Sequence, residues 1–133
     1  MHAFLVAGAM VVVGALIGTL QPVHAAQPLP PEATAVIQAV HMAAGQQRHA
    51  ALQRLMASEF VWSFGGDADA QQAIAAWKAD PKALKALYRV TGAPCAALAD
   101  GSVECPRQAG RAARARFEST AQGWRMVSFV AGD

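Results

Sequence analysis

Apolar residues recur at helical spacing through the first half of the chain. Between residues 36 and 56 they occur every three or four positions, which predicts one long amphipathic helix, weakened at Gly45, that ends near Ser58. The residues of this apolar stripe are Val36, Ile37, Val40, Ala44, Ala51, Leu52, Leu55 and Met56. Pro31 suits the first turn of the helix, because its missing N–H would have no helical partner there.

Two shorter helices are predicted in the middle of the chain. Asp69 is a candidate N-cap, because a glutamine follows three residues later, and Ile74 and Trp77 form the apolar side of the helix that it starts. Asp80 and Pro81 begin the next helix by the same logic, a cap followed by proline. The side chains that this helix is expected to bury are Leu84, Leu87 and Tyr88.

The last third of the chain has the alternation of β-strands. Residues 113–118 alternate small or aromatic side chains with charged ones, and a turn leads into a second β-prone run at 124–130. This pattern predicts a hairpin with one charged face, while Phe117, Trp124 and Met126 face the helices. The chain is therefore predicted to be an α+β domain, with helices packed on one side of a small antiparallel sheet.

An apolar run at the start of the chain predicts export. Residues 3–20 carry no charge and precede a small-x-small tripeptide that ends at Ala25, which is typical of a secretory signal peptide over residues 1–25. Residues 26–31 then form a proline-rich spacer before a single domain at 32–133. No Lys or Arg precedes the apolar run, so an uncleaved membrane anchor is the alternative. The expected location is the periplasm or the extracellular space.

Cys95 and Cys105 are the only cysteines, and an even pair in an exported chain predicts a structural disulfide. Asp100 and Gly101 mark a turn between them. A two-residue loop would place Cys95 opposite Pro106, whereas a three-residue loop with Gly101 in the left-handed conformation would place it opposite Cys105. The three-residue loop is favoured, and a disulfide-closed loop without a regular ladder is the alternative.

Charge and histidine content exclude several classes of function. Eleven Lys and Arg against nine Asp and Glu leave a net charge of +2, which is too small to argue for nucleic acid or for an anionic membrane. His41 and His49 are the only histidines after residue 25, and their spacing does not place them on one helix face. The sequence therefore predicts neither a metal ion nor a cofactor.

The segment that follows the β-prone run 60–64 is the densest local signal for a ligand. Glycine lets a ligand approach the backbone, an indole offers a flat apolar wall and a carboxylate accepts hydrogen bonds. The candidate residues are Trp62, Gly65, Gly66 and Asp67, with Trp77 and Trp124 as further aromatic walls. A strand end, a glycine turn, a helix cap and an aromatic core explain the same residues and are the alternative.

Arginines concentrate around the last hairpin. They are Arg107, Arg111, Arg114, Arg116 and Arg125. Through Arg114 and Arg116 this face could bind an acidic partner, such as an exported protein or an envelope component, by bidentate contacts. A solvated strand face that protects the sheet from aggregation is the alternative.

The order of elements and the closing hairpin resemble the NTF2-like superfamily. The resemblance rests on the runs Ala115-Arg116-Phe117-Glu118 and Gly123-Trp124-Arg125-Met126-Val127, and it covers residues 33–130. It implies a curved sheet that wraps a helix and often leaves a pocket. Two hypotheses follow. The first is an exported non-enzymatic binding domain for an unknown ligand, and the alternative is a small enzyme with Asp67 or Glu59 as general base in an aromatic-lined pocket.

Overall fold

The computed structural model describes residues 28–63, 65–107 and 113–130, together with Gly14 and Gly18. The predicted signal peptide, apart from those two glycines, lies outside the described residues. No helix in the described ranges combines the length and apolarity needed to cross a membrane. The predicted α+β class is confirmed, because helices pack on a five-stranded sheet that one disulfide braces at its edge.

Helices and strands alternate irregularly along the chain. In order they are α1 Pro31–Gly45, α2 His49–Arg54, β1 Met56–Val61, α3 Ala70–Ala79, α4 Lys82–Thr91, β2 Ala96–Ala97, β3 Val103–Cys105, β4 Arg114–Thr120 and β5 Gly123–Val130. The strand order is β1-β5-β4-β3-β2. Strands β2 to β5 pair antiparallel, as predicted, whereas β1 pairs parallel with β5 and makes the sheet mixed. The last strand of the chain is therefore an interior strand of the sheet.

The single long helix predicted for the first half of the chain is wrong. Helix α1 ends at Gly45, Gln47 adopts a φ of 53°, and the chain restarts as α2, which ends at Arg54. Met56 pairs with Met126 and so belongs to β1. Spacing alone placed Met56 in the predicted helix. A buried strand residue that closely follows a helix can match the spacing of the apolar residues in that helix.

The boundaries of α3 and α4 follow the polar residues that precede them. Asp69 caps α3 as predicted, since its Oδ1 accepts a hydrogen bond from the Gln72 N–H at 3.1 Å. Helix α4 starts at Lys82, and its N–H donates to Asp80 Oδ1 at 3.1 Å. The expected burial of Tyr88 is wrong, because 47% of this residue is exposed.

The hairpin between the cysteines has the favoured three-residue loop. The Leu98 N–H donates to the Ser102 carbonyl oxygen at 2.8 Å, and Gly101 has a φ of 88°, which suits a residue without a Cβ. With β2 and β3 in this register, Cys95 forms the predicted disulfide with Cys105. A disulfide of this kind indicates an oxidising compartment.

The core is organised around Trp77. This buried side chain of α3 lies edge-to-face between Phe60 of β1 and Phe129 of β5, with ring centroids 5.6 and 6.0 Å away. Such pairs contribute about 0.5–1.5 kcal/mol each beyond the apolar area that they bury. They join a helix to both strands of the parallel pair.

A bulge in β5 keeps its large side chains on the core face. Phe117 pairs with Met126, but the preceding residue of β4 pairs with Ser128, so Val127 has no partner in β4. Met126 and Phe129 are both buried although they lie three residues apart, a spacing that a regular strand would place on opposite faces. The prediction that Phe117 and Met126 face the helices is confirmed.

Candidate functional site

The loop after β1 is held by hydrogen bonds between its own residues. Ser63 Oγ donates to Asp67 Oδ2 at 2.7 Å, and the Asp67 N–H donates back to Ser63 Oγ at 3.2 Å. Gly66 has a φ of 81°, and its N–H donates to the Ser63 carbonyl oxygen at 3.1 Å. Gly65 and Asp67 are exposed. Turn geometry thus accounts for Gly66, and the Ser63 hydroxyl occupies one oxygen of the Asp67 carboxylate.

The three tryptophans do not form one cluster. Trp62 directly follows β1, at its C-terminal end. Trp124 lies near the other end of β1, two residues before Met126, which pairs with Met56. Both are half-buried and pack against the core, and Trp77 lies within it. Among the described residues no aromatic pair joins two tryptophans. The indole Nε1 of Trp62 is buried without a hydrogen-bond partner in the part of the chain that the structure describes.

The arginines of β4 are paired with carboxylates of the same domain. Arg114 Nη1 lies 3.5 Å from Glu104 Oε1, and Arg116 Nε donates to Glu118 Oε1 at 3.2 Å. Arg116 Nη2 also forms an ion pair with Asp100. An acidic partner of this face would have to compete with these three carboxylates. Their proximity favours the solvated strand face over a free cationic surface.

The other arginines of this set are placed differently. Arg125 Nη1 donates to the Trp124 carbonyl oxygen at 2.8 Å. Arg107 is exposed and is the last residue of the described range 65–107. Arg111 lies outside the described residues. Among the described residues of this set, only Arg114 and Arg116 form ion pairs with carboxylates.

Asp100 is the acceptor at the centre of this charged face. Its Oδ1 accepts hydrogen bonds from the Ser102 hydroxyl at 2.5 Å and from the Ser102 N–H at 3.0 Å. The hydroxyl bond is the main cause that lowers the pKa of Asp100 below its usual value of 3.8, followed by the N–H bond and the nearby charge of Arg116. The carboxylate form is therefore stabilised in the folded protein.

A groove between α1 and α4 brings together residues that the sequence pattern does not connect. It has a volume of about 630 Å³ and is walled by apolar groups of Met42, Leu84 and Tyr88, with His41 and Lys85 among its other residues. Met42 is 60% exposed and Tyr88 47% exposed. An apolar wall of this kind, open to solvent, is a candidate binding surface.

The imidazole of His41 fixes the position of Tyr88. The two rings stack with centroids 4.1 Å apart and planes 14° from parallel. His41 Nδ1 lies 2.8 Å from the Tyr88 carbonyl oxygen, which can only accept, so the neutral imidazole is the Nδ1–H tautomer. The Thr91 hydroxyl donates to the Leu87 carbonyl oxygen at 2.7 Å and lies 3.1 Å from the same Nδ1. Nε2 of His41 is then the acceptor nitrogen.

Two glycines make room for this stacked pair. A Cβ on Gly45 would lie 2.7 Å from Tyr88 Cδ2, and a Cβ on Gly92 would lie 2.9 Å from His41 Cε1. Both distances are too short for a normal contact. The positions of the Tyr88 and His41 rings therefore depend on glycine at residues 45 and 92.

Helical periodicity alone does not reveal the groove. Met42 lies off the apolar stripe of α1, which is an unusual place for a large apolar residue. This position is the one signal of the groove that the sequence contains. Tyr88 follows Leu84 at helical spacing and so resembles a core residue. In the structure the ring of Tyr88 lies against Gly45 of α1 and remains about half exposed.

Comparison of the chain with models of protein families, with curated proteins and with solved structures finds no match. No relative therefore supplies a function or a set of site residues for this domain. The resemblance to NTF2-like cones stays a prediction, and the candidate site rests on the geometry described above.

Replacing Asp100 with asparagine should lower the urea midpoint of unfolding at neutral pH. Because its folded-state pKa is lowered, the carboxylate contributes stability that is complete above pH 3.8 and is lost as the pH falls through the lowered value. The difference in midpoint between D100N and wild type should shrink below pH 3.8. Ser102→Ala should raise the pKa of Asp100 in an NMR titration, and a pH-independent difference would contradict this account.

A double-mutant cycle tests the contact between Gly45 and Tyr88. Gly45→Ala should destabilise the wild type by about 1–3 kcal/mol in urea unfolding, because the new methyl overlaps the ring and disturbs its stacking on His41. In a Tyr88→Ala background the same change should be neutral or stabilising, since alanine favours helices over glycine. Equal losses in both backgrounds would show that the ring does not limit this position.

Proposed function

We propose that this protein is an exported, non-enzymatic binding domain that holds a small ligand with an apolar body in the groove between α1 and α4. The observation that carries the proposal is the exposure of Met42 and Tyr88 across a groove of about 630 Å³. That volume falls within the range of roughly 300–1,000 Å³ found for small-molecule sites.

The build of the groove supports a preformed site. Stacking on His41 and the close approach of Gly45 hold the ring of Tyr88 in one orientation. A ligand that packs on a ring already held in place loses less free energy to ordering of the protein. Met42 adds an unbranched, polarizable side chain that adapts to ligands of different shape.

The alternative sites offer less to a ligand. One oxygen of the Asp67 carboxylate accepts a hydrogen bond from Ser63, and Glu59 is an exposed residue of β1. Arg114 and Arg116 already face carboxylates of the domain. These contacts favour a binding function in the groove over a catalytic carboxylate or an arginine-mediated interface.

Binding of the neutral fluorescent dye Nile red tests the groove. The dye's emission should rise on addition of the oxidised domain. Met42→Glu should weaken the apparent affinity for the dye by about tenfold, because a buried dye would desolvate the new carboxylate. Gln71→Glu, an exposed position on α3, introduces the same charge elsewhere and should leave the binding unchanged.

Two results would count against the groove. If the dye bound wild type, M42E and Q71E equally, the apolar surface used would lie elsewhere. If it bound none of them, the exposure of Met42 and Tyr88 would be an ordinary surface feature, and the proposed function would fall.

Export is supported by two independent features. The apolar run over residues 3–20 has the composition of a signal peptide, and the disulfide between Cys95 and Cys105 belongs to an oxidising compartment.

Expression of the full chain in a bacterial host tests export and cleavage together. Intact mass should correspond to a chain that begins at Ala26, recovered outside the cytoplasm and without a free thiol. A chain expressed without residues 1–25 should stay in the cytoplasm with two titratable thiols. Recovery of the uncut mass in the membrane fraction would instead support the anchor.

A further inference from the structure

A second, smaller pocket adjoins the groove across Met42. It has a volume of about 250 Å³ and lies between α1 and α2, where Ala51 and Leu55 form part of its wall. Met42 and Gln46 line both cavities. A ligand that passes over the Met42 side chain can therefore occupy the groove and the smaller pocket at once.

The charges around the two cavities have one sign. Arg48 and Arg54 line the smaller pocket and Lys85 lines the groove, and no carboxylate of the described residues lines either cavity. Within the described ranges none of these three cations forms an ion pair, in contrast to the arginines of β4. The helical surface thus offers unneutralised cations beside an exposed apolar wall.

We propose that the ligand is a single-chain amphiphile that ends in a carboxylate, of the long-chain fatty acid class. Its hydrocarbon chain lies in the groove against Tyr88 and Met42, and its carboxylate is held at the smaller pocket by Arg48 and Arg54. This assignment rests on the proposed function, because it uses the same groove. A guanidinium presents paired N–H donors that match the two oxygens of a carboxylate.

Charge and size favour this occupant over larger ones. A second copy of the domain docked through the same surface would place six cations in one interface whose lining residues offer them no carboxylate, which is unfavourable. The combined cavities suit one flexible chain, and the net charge of +2 is too small for nucleic acid. Three cations around an apolar strip are complementary to one acidic headgroup on one apolar chain.

Calorimetric titration with monomeric laurate, below the concentration at which it forms micelles, tests the assignment. Laurate should bind the oxidised domain with a stoichiometry of one and displace Nile red. Dodecyltrimethylammonium, which has the same chain and a positive headgroup, should bind at least about tenfold more weakly, as should acetate, which lacks the chain.

Paired variants separate the headgroup contact from general charge. Arg48→Gln with Arg54→Gln should weaken laurate binding by about tenfold or more and leave Nile red binding intact. Lys78→Gln with Lys82→Gln removes the same charge from exposed lysines outside both cavities and should leave laurate binding unchanged. Circular dichroism and urea midpoints confirm that each variant is folded.

The outcomes distinguish this assignment from the function on which it rests. If Nile red binds and is blocked by M42E while laurate binds no better than the cationic analogue, the groove stands and the acidic ligand is wrong. If laurate binds but both paired variants lose affinity equally, the contact is general charge and the assignment to Arg48 and Arg54 is wrong. Binding to anionic lipid vesicles without binding of monomeric laurate would overturn it in favour of a membrane surface.

Discussion

The edge-to-face packing of Trp77 between Phe60 and Phe129 is the contact on which the rest of the domain depends. Alanines bury little apolar area, so in this alanine-rich chain a few large side chains supply most of the hydrophobic stabilisation. Trp77 joins α3 to β1 and β5, and this brings a strand from the first half of the chain beside the last strand. Helix α1 contacts both α4 and α2, while α4 also contacts β4 and α2 also contacts β1, so a space opens on either side of α1.

The two faces of the domain differ in how their charges are satisfied. On the sheet, arginines of β4 meet carboxylates of β3, β4 and the Asp100 turn, so the positive and negative groups largely cancel. On the helices, Arg48, Arg54 and Lys85 surround apolar surface without a carboxylate among the residues that line it. Exposed ion pairs contribute little to stability, but they do decide which cations stay available to a ligand. The arginines that cluster in the sequence therefore lie on the sheet face, whose cations are less available to a ligand than those on the helices.

Local features were predictable from the sequence, and long-range ones were not. The Asp69 cap, the Gly101 loop and the register of the cysteines each depend on a few neighbouring residues whose conformational preferences are strong. The parallel pairing of β1 with β5, the Val127 bulge and the exposure of Tyr88 depend on residues far apart in the chain. A one-dimensional pattern contains no information on how closely α4 can approach Gly45, and for that reason the groove did not emerge from periodicity.

The interior position of β5 has a consequence for the order in which the domain can fold. Its two neighbours are β4, joined to it by a short turn, and β1, about seventy residues earlier in the chain. As a nascent chain emerges from its N-terminal end, the β2–β3 hairpin can close locally, and Val61 at the end of β1 can form its bridge with Ala68. Strand β1 has no partner strand, however, until residues 123–130 are free. Such a non-local pairing makes loop closure a late and slow step. A chain built in this way remains without its complete sheet until residues 123–130 have been released.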